Sequence, residues 1–443
     1  MLTPLADPVY RRLFAAQVLS LVGTGLATVA LGLLAHELAG ADAGAVLGTA
    51  LAVKMVCYVA VAPVAGAFVH LVPRRALLVG LDAARAAVAL LLPSVTEVWQ
   101  VYVLIALLQS CSAAFTPTFQ ATIPDVLTDE ADYTKALSLS RLAYDLEALV
   151  SPMLAAALLT VVGFHWLFGG TALGFLASAA LVLAVVLPSP KPPERAEGAW
   201  GRITRGARIY LATPRLRGLL ALNLAVAAAG AMVIVNTVVL VKSGHGLGDR
   251  EVAVAFAAYG LGSMLAALAL PRLLAGKPDR AVMLSGAGLL AAGLALGPVL
   301  SSAPWTAFLP LWFALGLGNG LVLTPSGRLL RLSAHPGDRP ALFAAQFALS
   351  HACWLLTYPL AGWLGARAGT AAAFGALAAV TALGAVLAAT LWPAHDPAEV
   401  EHVHTDLAPG DPHLARAEPL PGGGYRHRHA LVIDHLHHVW PTR

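Results

Sequence analysis

The sequence predicts an all-α membrane protein of twelve transmembrane helices, arranged as two six-helix halves related by pseudo-symmetry. The first observation is composition: 58% of the 443 residues are hydrophobic and only 12% are charged, whereas a soluble domain carries roughly 25% charged residues. The second is that apolar runs of about 20 residues, the length that crosses a bilayer, recur along the chain. The third is that Lys and Arg concentrate in alternate connecting segments.

The apolar runs divide the chain into four parts. We assign residues 1–188 to an N-terminal six-helix half and 218–392 to a C-terminal six-helix half. Residues 189–217, rich in Pro, Gly, Arg and Glu, are predicted to form a central cytoplasmic loop, and residues 393–443 a His-rich cytoplasmic tail. The predicted spans are residues 13–38, 43–69, 76–92, 98–121, 139–162, 166–187, 219–241, 252–270, 281–300, 305–323, 342–366 and 370–391.

The distribution of positive charge predicts the orientation. With the N-terminus inside, the inner connections before the tail hold 18 Lys and Arg residues, and the outer ones hold only Lys242, Arg250 and Arg367. Because cytoplasmic loops carry the excess of Lys and Arg, we expect a multi-pass protein of the cell inner membrane with both termini in the cytoplasm. The first apolar run is too long for a signal-peptide core, so we expect no cleavable leader.

Two proline positions repeat between the halves. Pro117 and Pro325 each follow a Thr and lie 208 positions apart, and Pro152 and Pro359 lie 207 apart. A nearly constant offset fits a duplicated six-helix unit. Such repeats place a substrate site between the halves near the bilayer midplane.

The sequence lacks the motifs of several classes of function, among them ATP-driven pumps and hydrolases. The three cysteines, Cys57, Cys111 and Cys353, lie far apart and form neither a CxxC motif nor a disulfide framework. We find no Gly-x-x-x-x-Gly-Lys-Ser/Thr loop for ATP-driven pumping and no hydrolase constellation, so we predict that the chain is not an enzyme. The expected partners are the lipid bilayer and a small-molecule or ion substrate, with no nucleic acid, and we expect a monomer.

A recognisable motif begins at the end of the second predicted span and continues through the loop that follows it. It contains Gly66 and the basic pair Arg74 and Arg75, with His70 between them. It resembles the signature of the major facilitator superfamily, in which an Asp is usual where His70 stands. The resemblance implies alternating access by two rocking halves, with the basic pair in a charge latch; the alternative is that the pair only anchors the topology.

Two further motifs resemble the drug and siderophore exporters of that superfamily. Asp82 and Arg85 form a D-x-x-R pattern in the third span, which a structural ion pair would also explain. Ser151 and Pro152 resemble the antiporter motif of the fifth helix, with Ser in place of the usual Gly. The resemblance implies a bent, closely packed fifth helix and favours efflux.

Charged residues within the spans are candidates for a specific role, because placing an ionisable group in the hydrocarbon costs a free energy of at least about 2.5 kcal/mol. Lys54 lies near mid-bilayer and is expected to pair with a carboxylate, to bind an anionic substrate or to carry a proton. Asp145 lies four residues after Arg141, which predicts a pair on one helix face, while Glu147 is rotated by roughly 200° from it. A buried carboxylate can perform proton antiport, so Lys54, Asp145 and Glu147 are our candidates for proton coupling, with structural pairing as the alternative.

Uncharged polar residues recur in the spans as well. In the superfamily the first, fourth, seventh and tenth helices line the cavity, so the resemblance places five of these residues on the substrate path, and interhelical hydrogen bonds would explain them equally well. These residues are Gln17, Gln109, Asn223, Asn236 and Asn319. His351 and Cys353 are interpreted as packing residues of the eleventh span.

The tail holds nine of the fifteen histidines in 51 residues. Neutral imidazole is the commonest metal ligand and suits Zn, Ni, Co and Cu, so a divalent metal at the tail is the one possible cofactor; the alternative is a solvated tail. The candidate ligands are His402, His404, His413, His427, His429, His435, His437 and His438.

These observations favour a secondary active transporter that exports a small organic compound in exchange for protons by alternating access. The alternative is efflux of a divalent metal ion such as Ni, Co or Zn, with the His-rich tail as a cytosolic collector or sensor. A membrane receptor, or an enzyme with a regulatory tail, is a different class that nothing in the sequence favours.

Overall fold

Long helices account for most of the fold. The computed structural model describes residues 2–39, 43–188, 198–300, 303–395, 399–405, 407, 412–414, 417–421, 423–429, 431–434, 436–437 and 440. The N-terminal half contains α1 (Pro8–Ala39), α2 (Ala43–Phe68), α3 (Arg74–Leu91), α4 (Val98–Val126), α5 (Glu130–Leu159) and α6 (His165–Leu183). The rest contains α7 (Ala199–Ala212), α8 (Pro214–Val238), α9 (Asp249–Gly276), α10 (Asp279–Leu300), α11 (Trp305–Leu323), α12 (Ser326–Leu332) and α13 (Arg339–Leu391).

Ten helical stretches of the described chain are long and apolar enough to cross a membrane. One of them, α13, has 53 residues and would measure roughly 80 Å, far more than a bilayer needs. Gly369 interrupts it with a φ of 84°, a conformation that glycine adopts readily, so two helices meet there. The other difference from the predicted count is α5, which is not among the ten. A count of twelve therefore requires α5 to cross once and α13 twice.

The central segment is not the loop that its composition predicts. Residues 199–212 form α7, an amphipathic helix that buries Ile209 and Tyr210. A side chain at Gly206 would lie 2.0 Å from the carbonyl oxygen of Ala341, so α7 packs directly on the start of α13. The loop prediction fails here because the prolines end at Pro193, and beyond them Arg and apolar residues alternate at helical spacing.

Small residues bring helices into close contact within each half. In the N-terminal half, a Cβ at Gly174 of α6 would lie 2.7 Å from the carbonyl oxygen of Leu19 in α1. In the C-terminal half, a Cβ at Gly316 of α11 would lie 1.8 Å from the carbonyl oxygen of Tyr259 in α9. Packing of this kind is how helices associate in lipid, where apolar burial alone provides no driving force.

The tail forms a three-stranded antiparallel sheet. Its strands are β1 (Val400–His404), β2 (Glu418–Pro419) and β3 (Tyr425–His429), in the order β1-β3-β2. Ile433 joins the hydrophobic core of the C-terminal half, and the Arg215 guanidinium lies 5.2 Å from the Trp440 ring. The tail is therefore docked on the helices.

Candidate transport cavity and tail histidine cluster

One end of the helix bundle is closed by ion pairs between the halves. We call it the N-terminal face, because Thr3 lies on it and donates a hydrogen bond to Asp132 (2.7 Å). There Asp125, at the end of α4, binds Arg74 of α3 at 2.7 Å and Arg339 of α13 at 2.5 Å. Since α4 and α13 belong to different halves, Asp125 and Arg339 bridge them.

Further contacts close the same face. Arg328 of α12 binds Glu130 at 2.5 Å and Asp279 at 3.4 Å, and the Tyr133 hydroxyl donates to the carbonyl oxygen of Gly327 (3.1 Å). A Cβ at Gly66 would lie 2.6 Å from the Cβ of Ala344, so the end of α2 also packs on α13.

The signature motif is therefore used differently from the superfamily pattern. His70 is exposed, and Arg75 donates a weak hydrogen bond to the carbonyl oxygen of Val185 (3.4 Å). The acid that Arg74 needs comes instead from Asp125, 51 residues along the chain. The sequence interpretation missed Asp125, because it searched for the acid inside the motif.

Behind this closed face lies a cavity of about 540 Å³ between the two halves. Its walls come from α1, α2, α4 and α5 on one side and from α8, α12 and α13 on the other. Five of the predicted path residues line it: Gln17, Lys54, Gln109, Glu147 and Asn223.

Lys54 lies in an aromatic corner of the cavity. Its ammonium group is 5.6 Å from the ring centre of Tyr58, one helical turn further along α2. The Tyr58 hydroxyl donates to Gln109 (2.9 Å), and its ring lies 4.7 Å from that of His351 and 4.8 Å from that of Phe347. His351, interpreted from sequence as a packing residue, therefore lines the cavity as well.

Among the described residues that line the cavity, Glu147 is the only one with a carboxylate. Lys54 lines the same cavity, but the two side chains do not form a direct ion pair within 4.0 Å in the described structure. A Cβ at Gly25 of α1 would lie 2.5 Å from the Glu147 carboxylate and 2.1 Å from the Ser151 hydroxyl. Because Gly25 has no side chain, this face of α5 can pack closely on α1. The side chain of Pro152, the second residue of the predicted antiporter motif, lies outside the described structure.

Asp145 is held away from the cavity by Arg141. The two side chains form an ion pair at 2.7 Å, as their spacing on one helix face predicts. Arg141 also donates to the Ser263 hydroxyl of α9 (2.9 Å), which makes a further polar contact between the halves. Asp145 is absent from the cavity lining, and this placement favours the structural alternative.

Two predicted path residues also lie elsewhere. Asn236 is buried and donates to the carbonyl oxygen of Ala361 (3.3 Å), while Gly365 packs against its side chain. Asn236 thus joins α8 to α13, and Asn319 is buried within α11 away from the cavity lining. Both placements depart from the prediction, because helix number alone does not fix which face of a helix meets the cavity.

Asp82 and Arg85 are placed as a buried ion pair of the N-terminal half. Asp82 binds Arg85 and accepts a hydrogen bond from Ser178 (2.8 Å). The Arg85 guanidinium lies 4.0 Å from the ring centre of Phe115 and 4.4 Å from that of Phe175. These contacts favour the structural role for the pair, although Arg85 also borders the cavity.

The tail brings five of its histidines together. The ligating nitrogens of the group all lie within 4.8 Å of one another, and the group consists of His402, His404, His413, His427 and His437. We call it the histidine cluster. His429 has its ring 4.7 Å from that of His402 but is not a member. His435 and His438, two further predicted ligands, lie outside the described residues.

The environment of the cluster favours the neutral form of two of its rings, His427 and His413. Burial and the neighbouring imidazoles lower the pKa of His427 to about 4, and the same two effects lower the pKa of His413. Burial raises the pKa of Asp434, but hydrogen bonds from His335 and His437 outweigh it and hold that pKa below its usual range. Neutral imidazole is the form that binds metal ions.

A comparison with protein-family models identifies the family. The family model of the Major Facilitator Superfamily matches residues 13–277 and 219–432. A search of curated proteins finds no match. Among solved structures, the chain is similar to the human organic anion transporter MFSD10 (TETRAN), with a TM-score of 0.72, 15% identity, and coverage of 86% of this chain and 99% of that one.

A second similar structure is a bacterial homologue of the iron transporter ferroportin in its outward-facing state. The TM-score is 0.71, the identity is 14%, and the match covers 86% of this chain and 99% of that one. At these sequence identities the two structural matches show only that the fold is shared, and the match to the family model shows the family. The chain therefore belongs to the Major Facilitator Superfamily, as a membrane transporter and not an enzyme.

Proposed function

We propose that this transporter exports a small organic compound in exchange for protons. The observation that carries the proposal is that two ionisable residues of the membrane-spanning helices, Lys54 and Glu147, line one cavity walled by Tyr58, Phe347 and Trp354. An ionisable residue within a membrane span is a functional candidate. Aromatic walls with a few polar groups are typical of sites for organic ligands.

Glu147 is proposed as the proton carrier. Its ionised carboxylate binds a cationic or hydrogen-bond-donating group of the substrate, and a proton at the same carboxylate competes with that group. Exchange follows if the substrate binds on the cytoplasmic side and a proton displaces it on the other. Lys54 balances the charge of the empty site, so that an ionised Glu147 costs less to hold in the membrane.

Alternating access is proposed to use the ion pairs of the N-terminal face. The cavity opens to that face only when the Asp125–Arg339 bridge and the contacts of Arg328 separate. We assign the N-terminal face to the cytoplasm from the excess of Lys and Arg in its connections. The likeness of Ser151 and Pro152 to the antiporter motif supports the export direction.

The second candidate function is export of a divalent metal ion. The histidine cluster favours it, because the cluster lies on the proposed cytoplasmic side, where a metal would be collected. The described cavity lining opposes it, because it offers a divalent ion only one carboxylate, Glu147, and one imidazole, His351, among largely apolar walls, whereas an organic ion can also bind through its apolar part.

Transport in proteoliposomes distinguishes the two functions. With a proton gradient imposed across the vesicles, we expect a lipophilic cation to accumulate and to dissipate the gradient. We expect Ni²⁺, Co²⁺ and Zn²⁺ to do neither. Accumulation of a metal ion without that of the organic probe would contradict the proposal and support metal export.

A further inference from the structure

The strand pattern of the tail directs its histidines to one side. His402 and His404 alternate with Glu401 and Val403 along β1, and successive side chains of a strand point to opposite faces. In the antiparallel register His402 lies opposite His427 of β3. His404 and His427 are buried, whereas Glu401 and Val403 are exposed. The sheet thus gathers imidazoles on its inner face.

The arginines of the tail lie on the other face. Arg426 and Arg428 flank His427 along β3 and are exposed. They lie 3.7 Å from Glu401 and 3.4 Å from Glu399, respectively. Their positive charge is therefore turned away from the imidazoles and partly neutralised by carboxylates, so it opposes the binding of a cation among the imidazoles only weakly.

The distances within the cluster match those between the ligands of a single ion. The Nε2 atom of His402 lies 2.9 Å from that of His427 and 3.0 Å from that of His437. With metal–nitrogen bonds of about 2.1 Å, two ligands at right angles lie about 3.0 Å apart and two opposite ligands about 4.2 Å apart. All ligand atoms of the cluster lie within 4.8 Å of one another. Two ligands at that separation would each need to move by only a few tenths of an ångström to reach the distance of about 4.2 Å between opposite ligands.

We propose that the tail binds one divalent transition-metal ion through His402, His404, His413, His427 and His437, and that the ion fixes the tail on the N-terminal face. A set of five nitrogen ligands suits Ni²⁺, Co²⁺ or Cu²⁺, whereas structural Zn²⁺ sites are almost always four-coordinate and tetrahedral. Ca²⁺ and Mg²⁺ are excluded as the natural ligands because they require oxygen.

Asp434 connects the site to the transporter. Its carboxylate accepts from Nδ1 of His437 at 3.1 Å, which leaves Nε2 of that ring for the ion. The same carboxylate lies 3.5 Å from His335, in the connection between α12 and α13. A carboxylate that orients a metal-binding histidine is a common second partner of metal sites. Here it also ties the site to the connection that ends at Asp338, next to the bridging Arg339.

Titration of the full-length chain with NiCl₂ in detergent tests the binding. The protein carries a non-histidine affinity tag, and no gradient is present, so the result is independent of the transport function. We expect one Ni²⁺ per chain. The double variant His402→Ala/His437→Ala should weaken the affinity at least about 100-fold, whereas His70→Ala/His395→Ala, which removes two exposed histidines outside the cluster, should leave it within twofold.

Equal affinity in the wild type and the cluster variant, or no binding in the wild type, would overturn the metal site. Trypsin sensitivity tests the docking in the wild type alone, so it does not depend on how the variant folds. Ni²⁺ should slow cleavage after Arg426 and Arg428, and EDTA should restore it. Binding without protection would overturn the fixing of the tail.

Discussion

Asp125 of α4 binds Arg339 of α13 at 2.5 Å and thereby joins the two halves of the transporter at the N-terminal face. The same carboxylate binds Arg74 at 2.7 Å, so one acid serves both the basic pair of the signature motif and the opposite half. This arrangement replaces the acid that the motif lacks at His70. It also makes the closed state of this face depend on a bond that one substitution can remove.

Arg339→Gln should shift the transporter away from the state that is closed at the N-terminal face. A buried hydrogen bond between charged groups contributes about 1.5–3 kcal/mol, and Asp125 keeps its bond to Arg74 in the variant, so folding should survive. The measurement is the distance between spin labels placed on α4 and α13. The population with the longer distance should rise by roughly tenfold or more.

Asp132→Asn is the matched control for that shift. Asp132 lies on the same face, but its partners Thr3 and Lys135 belong to its own half. It should leave the distance distribution unchanged. Equal distributions in Arg339→Gln and the wild type would show that the Asp125–Arg339 bond does not hold this face closed.

Gly25→Ala should disturb the proposed proton site. The new Cβ would lie 2.1 Å from the Ser151 hydroxyl and 2.5 Å from the Glu147 carboxylate, and overpacking of this kind costs about 1–3 kcal/mol. We expect a lower Tm and a loss of proton-driven export. Gly32→Ala on the same helix, which has open space around its Cβ, should change neither property.

A second substitution separates the packing effect from a general loss of function. Ser151→Gly removes the nearer of the two contacts, so Gly25→Ala/Ser151→Gly should recover part of the Tm and of the transport rate. If the double variant is no better than Gly25→Ala, the contact between Gly25 and Ser151 does not set the packing of α5 on α1.

Asp434→Asn should weaken Ni²⁺ binding by about 10–100-fold, the usual effect of removing a carboxylate that orients a histidine ligand. The amide keeps the size of the side chain but removes the negative charge that contacts His437 and His335. Calorimetric titration measures the change. Glu399→Gln, an exposed acid paired with Arg428 on the outer face, should bind Ni²⁺ as the wild type does; an equal loss in both variants would point to net charge.

A chain that ends at His395 should still transport the organic substrate at a rate within about twofold of the full-length protein. The truncation keeps Trp392, whose carbonyl oxygen accepts from Arg280 (2.8 Å), and removes the buried Ile433, which contributes about 1.5–3 kcal/mol. The Tm should therefore fall modestly, and tight Ni²⁺ binding should disappear. Loss of organic transport would show that the tail is part of the transport machinery.

The architecture followed from the sequence where the physical signal was strong. Long apolar runs fix the existence of the spans, since a charged or short segment cannot cross hydrocarbon. The pairing of Arg141 with Asp145 followed from their spacing on one helix face. By contrast, α7 was missed because residues 189–217 were interpreted together from their Pro, Gly, Arg and Glu content, and only its contact with Ala341 shows what the helix packs against.

The candidate sites were harder to predict, because they depend on contacts between distant segments. Asn236 and Glu147 are both polar residues within helices, yet only the fold shows that one packs against Gly365 and the other lines the cavity. For the tail, the alternation of His with other residues around His402 and His427 was a readable strand signal, but the segment was interpreted only as a His-rich tail. Residue spacing does not reveal that the two strands pair.

The role of Glu147 is the centre of the proposed mechanism, and a comparison of two transport modes tests it most directly. In proteoliposomes, Glu147→Gln should abolish export driven by a proton gradient while keeping exchange of labelled for unlabelled substrate at equal pH. Glu37→Gln, which changes an exposed acid at the end of α1, should retain both modes. Gradient-driven export by Glu147→Gln at the wild-type rate would contradict the account.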